Sequence, residues 1–250
     1  MWLTAVYHQV SFFSLKPADA TSTGGRSLLV PTPFSIKMAL LDVALRLLGE
    51  QSGSGLFELI RDLDIALSPP PYIVANNCFV RIHKPRRSKG SGAGAPSDEP
   101  DQDEGGGDGP FIRSVAFREY VQYHGPLGVA LKALHQQDAD RLAELMVRVT
   151  YFGKRGSLFQ IDGPPRTSDA LPVRQGYVQI TGQTTGVEPA AHAVLQMLDD
   201  CGPKMTFEHA DIYSGKRITL GKERVLRHVV LPYRLARSSR GFSLYERIEI

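Results

Sequence analysis

The clearest element of this chain is encoded by residues 31–50, PTPFSIKMALLDVALRLLGE. Four aliphatic residues recur there at helical spacing: Ile36, Leu40, Val43 and Leu47. Such a stripe predicts an amphipathic helix that packs on a core. Thr32 is a residue type that caps the start of a helix, and Gly49 is one that ends it. Lys37 and Arg46 lie off the stripe, so we expect both side chains to face solvent or a ligand.

Strands are predicted on both sides of this helix. Met1–Phe13 is rich in β-branched and aromatic residues, and so are Tyr72–His83 and Phe111–Tyr123, which we expect to pair as a long hairpin. Shorter apolar patterns predict further helices: Leu56–Leu67, Leu127–Gln137, Ala139–Val147 and Ala190–Asp200. Strands with interspersed helices and a long hairpin indicate an α+β fold.

Residues 84–110 differ from the rest of the chain. Basic residues come first, then Gly, Ser and Ala, then the acids Asp98, Glu99, Asp101, Asp103 and Glu104, and then three glycines. Because almost no apolar residue is present, burial cannot offset the entropy of ordering this segment. We predict a disordered hairpin tip inserted into a single domain formed by residues 1–83 and 111–250. For the acidic part, an insertion without a role is an equal alternative.

The composition is that of a globular protein, with 42% hydrophobic residues and a net charge of +3. No secretory signal or membrane-spanning segment is recognisable, and the two cysteines are too far apart in sequence for a CxxC site. The seven histidines never occur at a metal-ligand spacing. We therefore predict a cytoplasmic protein with reduced thiols, no metal, no cofactor and no membrane contact.

Positive charge is concentrated between Tyr213 and Arg240, where eight basic residues accompany one acid, Glu223. These are Lys216, Arg217, Lys222, Arg224, Arg227, Arg234, Arg237 and Arg240. A basic field interleaved with tyrosines suits phosphate neutralisation and base stacking. Two alternatives stay open, a solvated basic strand and loop, or a face that meets an acidic protein partner.

Motifs of the common enzyme classes are absent: there is no Walker loop, no GxGxxG after a strand, no GxSxG and no HExxH. A metal-independent ribonuclease would need a general base, a general acid and a cation. The candidates are His83 or His124, Tyr120 or Tyr123, and Lys84 or Lys154. These residue types are too common to be specific, so nuclease activity is kept as the alternative to a non-catalytic binding protein.

Several features together resemble CRISPR-associated subunits of the RAMP superfamily, specifically the Cas-five family of type I effector (Cascade) complexes. They are the proline-led helix of residues 31–41, the long hairpin with its charged tip, the Tyr151–Gly156 stretch YFGKRG, and the closing Leu231–Arg234 stretch with residues 238–240. The Gly-flanked pair Lys154 and Arg155 permits either a close backbone approach or a plain hairpin turn.

The resemblance implies a ferredoxin-like, RNA-recognition-type core with a long β-hairpin thumb and extra carboxy-terminal strands. It also implies a subunit that caps the 5′ handle of the CRISPR RNA (crRNA) in antiviral defence. The partners implied are the backbone-forming and large subunits of the effector complex, with target DNA met only indirectly. Some relatives cleave precursor crRNA, but their catalytic set cannot be matched to positions here, so catalysis is not carried over.

Fifteen residues are expected to contact RNA. By the resemblance, the first helix supplies Lys37 and Arg46, and the thumb supplies Arg81, His83, Lys84, Arg113 and Arg118. By their own character, the others are Arg26, Lys154, Arg155, Arg217, Tyr233, Arg234, Arg237 and Arg240. The hairpin tip is longer and more acidic than a plain thumb requires, which argues against direct RNA contact by the tip.

Overall fold

The computed structural model describes residues 1–20, 25–85, 110–182 and 193–248, with the side chain of Lys84 left out. The helices are α1 Pro33–Ser54, α2 Phe57–Arg61, α3 Gln136–Val147 and α4 Phe207–Ala210. The strands are β1 Trp2–Gln9, β2 Ile65–Ser68, β3 Tyr72–Pro85, β4 Phe111–His124, β5 Leu127–Lys132, β6 Phe159–Ile161, β7 Arg166–Ser168, β8 Val178–Gln179, β9 Val194–Cys201, β10 Arg224–Leu231, β11 Tyr233–Ser238 and β12 Phe242–Arg247. The fold is therefore mixed α/β, with antiparallel sheets, which confirms the predicted class at this level.

The central sheet has the strand order β6-β1-β5-β2-β8, and β7 also pairs with β1. Every pair of neighbours is antiparallel. Strand β1 alternates as a half-covered strand does, because Leu3, Ala5 and Tyr7 are buried in the main core while Trp2 lies in a small second cluster. Helices α1 and α3 pack against each other, and α3 also packs on β1.

Helix α1 confirms the helix predicted from residues 31–50. The Thr32 hydroxyl accepts a hydrogen bond from the Ser35 amide at 3.1 Å, and Pro33 occupies the first turn. Three residues of the predicted apolar stripe, Ile36, Leu40 and Val43, are at most 2% exposed, whereas the fourth, Leu47, is 38% exposed near the end of the regular helix. At Gly49 the backbone turns left-handed, with φ at 76°, so the regular helix stops there and one further turn follows.

A second sheet has the order β11-β12-β3-β4 and contains the predicted hairpin. Strands β3 and β4 pair along their whole length, from Tyr72 opposite His124 to Pro85 opposite Phe111. Strand β12 pairs only with residues 72–76 of β3. Residues 78–85 and 111–118 therefore form a two-stranded extension, called the ribbon below. Residues 86–109 lie outside the described residues, so disorder of the 84–110 tip stays a prediction.

Three predicted helices are wrong in whole or in part. Leu127–Gln137 begins with strand β5, which pairs with both β1 and β2. The residues from Leu127 to Leu131 are all buried. An apolar run that is buried on both faces lacks the alternation of apolar and polar residues that marks a strand in a sequence. The Leu56–Leu67 pattern divides into α2 and β2. In Ala190–Asp200, residues 194–200 lie in strand β9, which pairs with β10. Helix α3 confirms Ala139–Val147.

The two cysteines differ in their surroundings. Cys201 is 5% exposed, and burial raises the pKa of its thiol to about 12. Cys78 is partly exposed on the ribbon. Neither forms a disulfide.

We expect a thiol reagent at pH 8 to label Cys78 in the native protein and to reach Cys201 only after unfolding, because the thiolate is the reactive form. Mass spectrometry of native and denatured samples measures this difference. The control is Cys78→Ser, which should leave no rapidly labelled thiol. Two rapidly labelled thiols in the native wild-type protein would contradict the burial of Cys201.

Candidate nucleic-acid interface

One face of the ribbon combines aromatic and basic side chains. Residues directly opposite each other on paired strands point to the same side of a sheet. The pairing of β3 with β4 therefore collects eight residues on this side, called the exposed ribbon face: Phe79, Arg81, His83, Pro85, Phe111, Arg113, Val115 and Phe117. Phe79 contacts Phe117 edge-on with ring centroids 5.7 Å apart, and the His83 and Phe111 centroids are 6.4 Å apart.

Most of this face is open to solvent. Phe79 is 71% exposed and Phe111 is 56% exposed, and the three basic residues Arg81, His83 and Arg113 are exposed as well. Neither arginine forms an ion pair with any side chain that the structure describes. Exposed rings beside unpaired guanidinium groups can stack unpaired bases and hold phosphates.

The pleat of β3 explains why this face is open. Its odd-numbered side chains point to one side, and near the base of the hairpin Ile73 and Ala75 of that row are buried in the core. The ribbon extends beyond the core, so Phe79 and Arg81 of the same row are exposed, and no described residue covers them. An identical alternation thus gives a packed face at the base and an exposed face along the ribbon.

The opposite side of the four-stranded sheet, called the outer face, unites parts of the chain that are distant in sequence. Phe242 lies opposite Asn76, which lies opposite Tyr120, and Arg237 joins the next row through Leu244. The outer face also includes Tyr72, Val74, Cys78, Arg118, Gln122, His124, Arg234 and Glu246. It therefore places arginines of the predicted thumb and of the carboxy-terminal segment on one surface.

The arginines of strands β11 and β12 and their turn have different surroundings. Arg234 donates to the Glu246 carboxylate, with Nη2 and Oε2 2.7 Å apart. Arg237 and Arg240 are exposed, and the Arg240 carbonyl accepts a hydrogen bond from the Asn77 side-chain amide at 3.1 Å. This bond holds the β11–β12 turn against the start of the ribbon.

Tyr233 is not available as a stacking residue. Its ring is fully buried, its hydroxyl donates to the Pro70 carbonyl, and burial raises the pKa of the phenol. The tyrosine occurs at the start of β11, where the side chain points into the core. The sequence-based assignment of Tyr233 to RNA contact is therefore wrong.

Lys37 is also buried, and the expectation that it faces solvent is wrong. Its side chain is 2% exposed, and its ammonium group lies 2.6 Å from Asp200 Oδ1 and 2.7 Å from the Arg61 carbonyl. Strand β9 packs on helix α1 and covers the flank of the helix that carries Lys37. The buried surface of α1 is therefore wider than the stripe of apolar residues in its sequence.

Two arginines of the basic segment neutralise aspartates of β9. Arg224 Nη2 lies 2.7 Å from Asp199 Oδ2, and Arg227 Nε lies 2.7 Å from Asp200 Oδ2, while both aspartates are 1% exposed. The Arg224 guanidinium also lies 4.3 Å from the centre of the Phe34 ring. These arginines hold the β9–β10 pair against α1. The signal in the sequence is two consecutive acids between the apolar residues Leu198 and Cys201.

The remaining candidates are exposed but separated by the fold. Arg26 lies on a segment beside β4, where the Gly25 carbonyl accepts from the Glu119 amide at 2.8 Å. Arg46 pairs with Asp42 on α1 at 3.0 Å. Lys154 and Arg155 lie in the tight turn before β6, and Arg217 lies in the loop before β10.

The structure thus gathers two groups of the predicted residues. The exposed ribbon face carries Arg81, His83 and Arg113, and the outer face carries Arg118, Arg234 and Arg237. Sequence reasoning missed the phenylalanines of the exposed ribbon face. Their signal is the alternation Phe79, Arg81, His83 along one strand, with Phe111, Arg113 and Phe117 along the other.

Across the described ranges, no three metal-ligating side chains come together. None of the helices described is long and apolar enough to cross a membrane.

Comparison with known proteins points to CRISPR systems. No family model matches the chain. The curated CRISPR-associated protein Cas5 of Archaeoglobus fulgidus is 24% identical over 222 residues, which is 86% of this chain and 86% of that protein. A crystal structure of a CRISPR protein from Archaeoglobus fulgidus matches with a TM-score of 0.39 and 12% identity, over 99% of this chain and 92% of that one. A chain of a CRISPR RNA-guided surveillance complex gives 0.44 and 15%, over 99% and 91%.

The resemblance predicted from the sequence is therefore confirmed by a curated relative that carries the name of the predicted family. The match extends along most of both chains.

We expect Asp200→Asn to lower the free energy of unfolding by about 3–5 kcal/mol, because the buried Lys37 ammonium would lose its counter-charge. Chemical denaturation followed by circular dichroism measures the change. The matched control is Arg46→Gln, which breaks an exposed pair and should change stability by at most about 0.5 kcal/mol. Equal effects of the two substitutions would contradict a structural role for the buried network.

Proposed function

We propose that this chain is a non-catalytic subunit of a type I CRISPR effector complex that binds the 5′ handle of the crRNA. The curated relative supports a role in CRISPR defence. The observation that carries RNA binding is the exposed ribbon face, with Phe79 and Phe111 open to solvent beside Arg81 and Arg113.

The finer fold assignment belongs to the same proposal. The order of elements is β1-α1-β2, then the hairpin, then β5-α3-β6, and the four strands lie in the sheet as β6-β1-β5-β2. This order supports our assignment of a ferredoxin-like core with a hairpin inserted between its second and third strands. We assign the hairpin as the thumb, and β11 and β12 as the extra carboxy-terminal strands.

The chemistry of the ribbon fits a single strand of RNA better than a duplex. Planar rings give stacking energy to any unpaired base, and guanidinium forks bind phosphate oxygens. Alternate residues on a strand are about 6.6–6.8 Å apart, so Phe79, Arg81 and His83 present a ring, a cation and an imidazole in succession. Bases in a duplex are already stacked and would leave the phenylalanines exposed.

The outer face, on the opposite side of the sheet, is a second basic and aromatic surface in this proposal. Arg118 and Arg237 lie there with Tyr72, Tyr120 and Phe242. A handle held along the exposed ribbon face reaches these residues only where it crosses an edge of the sheet. The ribbon itself projects beyond the core, where we place the contact with the backbone-forming subunit of the complex. Contact with the large subunit, and indirect contact with target DNA, belong to the same proposal.

The placement of the nuclease candidates supports a role without catalysis. His83 and Tyr120 lie on opposite sides of the β3–β4 sheet. Tyr123 is buried, and its hydroxyl donates to the Leu29 carbonyl at 2.8 Å. His124 and Tyr120 share one side but are separated by four residues, about 13 Å along the strand. Neither pairing brings an acid and a base to one phosphate.

We expect the double substitution Arg81→Ala with Arg113→Ala to weaken binding of an RNA that carries the native repeat-derived handle. Because each phosphate contact on a single strand contributes about 0.7 to the slope of log affinity against log salt, the slope should become shallower by about 1.4. Phe79→Ala should reduce affinity by about 1–3 kcal/mol with the slope unchanged. Fluorescence anisotropy across a salt series separates these effects.

The matched control is Arg148→Ala, an exposed arginine at the end of α3 that pairs with Glu144. It should leave both affinity and slope unchanged. Wild-type affinity in the ribbon variants would overturn the assignment of the exposed ribbon face. An equal loss of affinity in the control would show that the binding is general electrostatic attraction rather than contact at this face.

A labelled precursor repeat should remain intact during incubation with stoichiometric protein in EDTA, because the described candidates do not converge on one phosphate. Denaturing gel electrophoresis detects cleavage. Cleavage at a single position by the wild-type protein, abolished by His124→Ala or His83→Ala, would establish the endoribonuclease alternative instead.

A further inference from the structure

The loop between α4 and β10 exposes large apolar side chains. Within residues 211–222, here called the 211–222 loop, Ile212 is 84% exposed and Tyr213 is 90% exposed. Ile218 and Leu220 are also exposed, at 37% and 41%. Single exposed apolar residues are common on protein surfaces, but four within one short loop, called the apolar patch below, are a concentration of the kind that marks an interaction site.

The polar groups of the loop are used to fix its own shape. The Ser214 hydroxyl donates to the carbonyls of Glu208 and Asp211, and the Tyr213 amide donates to the Asp211 carboxylate at 2.9 Å. Further along, the Thr219 amide donates to the Glu223 carboxylate at 3.0 Å. Because these bonds hold the loop, Ile212 and Tyr213 are presented in one arrangement, and less conformational entropy is lost when a partner covers them.

Basic and acidic side chains both surround the apolar patch, but the carboxylates of Asp211 and Glu223 accept hydrogen bonds from backbone amides of the loop itself. Lys216 is neutralised by Glu208. Arg217 and Lys222 are exposed, and within the described part of the chain neither has an acidic partner. A partner surface that covers the patch must therefore accept two cations at its rim.

We propose that the 211–222 loop docks into a protein partner whose surface offers an apolar pocket rimmed by Asp and Glu side chains. Tyr213 and Ile212 fill the pocket as anchors, since buried tyrosines dominate the energetics of such interfaces. Arg217 and Lys222 pair with the carboxylates and orient the complex. Arg217, expected from the sequence to contact RNA, is assigned here to the protein partner.

An RNA ligand fits this loop less well. Stacking would use Tyr213 alone, while Ile212, Ile218 and Leu220 offer no planar surface to a base. The ribbon, in contrast, combines arginines with three phenylalanines. Aliphatic side chains next to a tyrosine are typical of the buried centre of a protein interface.

The test uses the full-length tagged chain in its native host, with the photo-crosslinking residue p-benzoylphenylalanine in place of Tyr213. Illumination, purification and mass spectrometry identify the crosslinked species. We expect one dominant adduct with a different polypeptide, at a peptide that contains apolar residues and at least two Asp or Glu. The control carries the same photo-crosslinking residue in place of Leu134, which is 78% exposed in the turn before α3. It should not produce this adduct.

A second pair of variants separates anchoring from charge. Ile212→Asp or Arg217→Glu, each combined with the crosslinker at 213, should reduce the adduct at least about tenfold while the amount of co-purified RNA stays unchanged. An adduct with RNA, an adduct with a second copy of this chain, or no adduct at all would overturn the proposal. Absence of RNA from every sample would overturn the proposed function but leave the docking loop standing.

Discussion

Strand β3 pairs on both sides near its base and on one side beyond it, and the arrangement of the candidate interface depends on this change. Between Tyr72 and Asn76 the strand lies between β4 and β12, so one row of its side chains reaches the core. Past Asn77 the same row continues as the exposed residues Phe79, Arg81 and His83. Because alternate side chains of a strand lie on the same side, the row that is buried near the base continues along the ribbon as a line of exposed aromatic and basic residues. The pairing with β12 also brings Arg237 next to residues of the hairpin.

Basic side chains in this protein have two different kinds of surroundings. Part of the basic segment is structural, since Arg224 and Arg227 neutralise the buried pair Asp199 and Asp200, and Lys37 completes the network from α1. Basic side chains that pair with buried aspartates are engaged within the fold and are not free to bind a phosphate. The arginines of the ribbon have no such partners among the described residues, and they accompany exposed rings. The presence or absence of an acidic partner in the fold, rather than charge density along the sequence, separates the structural arginines from those proposed to bind RNA.

Much of the fold follows from local patterns, and the errors have physical causes. The α1 helix has its cap, stripe and terminating glycine within residues 31–50, so its prediction needs no tertiary information. The hairpin can likewise be predicted from the β-branched and aromatic residues of its two strands. Strand β5 is not, because burial on both faces removes the alternation that marks a strand. For the candidate site, the basic residues of the ribbon were predictable, whereas the burial of Lys37 and Tyr233 depends on contacts with β9 and Pro70 that are more than 160 residues away in sequence.

The proposed position of RNA along the exposed ribbon face can be tested directly by photochemical mapping. The complex would be purified with its native RNA and irradiated with ultraviolet light, which joins stacked aromatic side chains to bases, and the modified peptides would be identified by mass spectrometry. We expect nucleotide adducts on the strand peptides that contain Phe79 and Phe111. Adducts confined to the 211–222 loop or to the helices, with none on the ribbon, would contradict it.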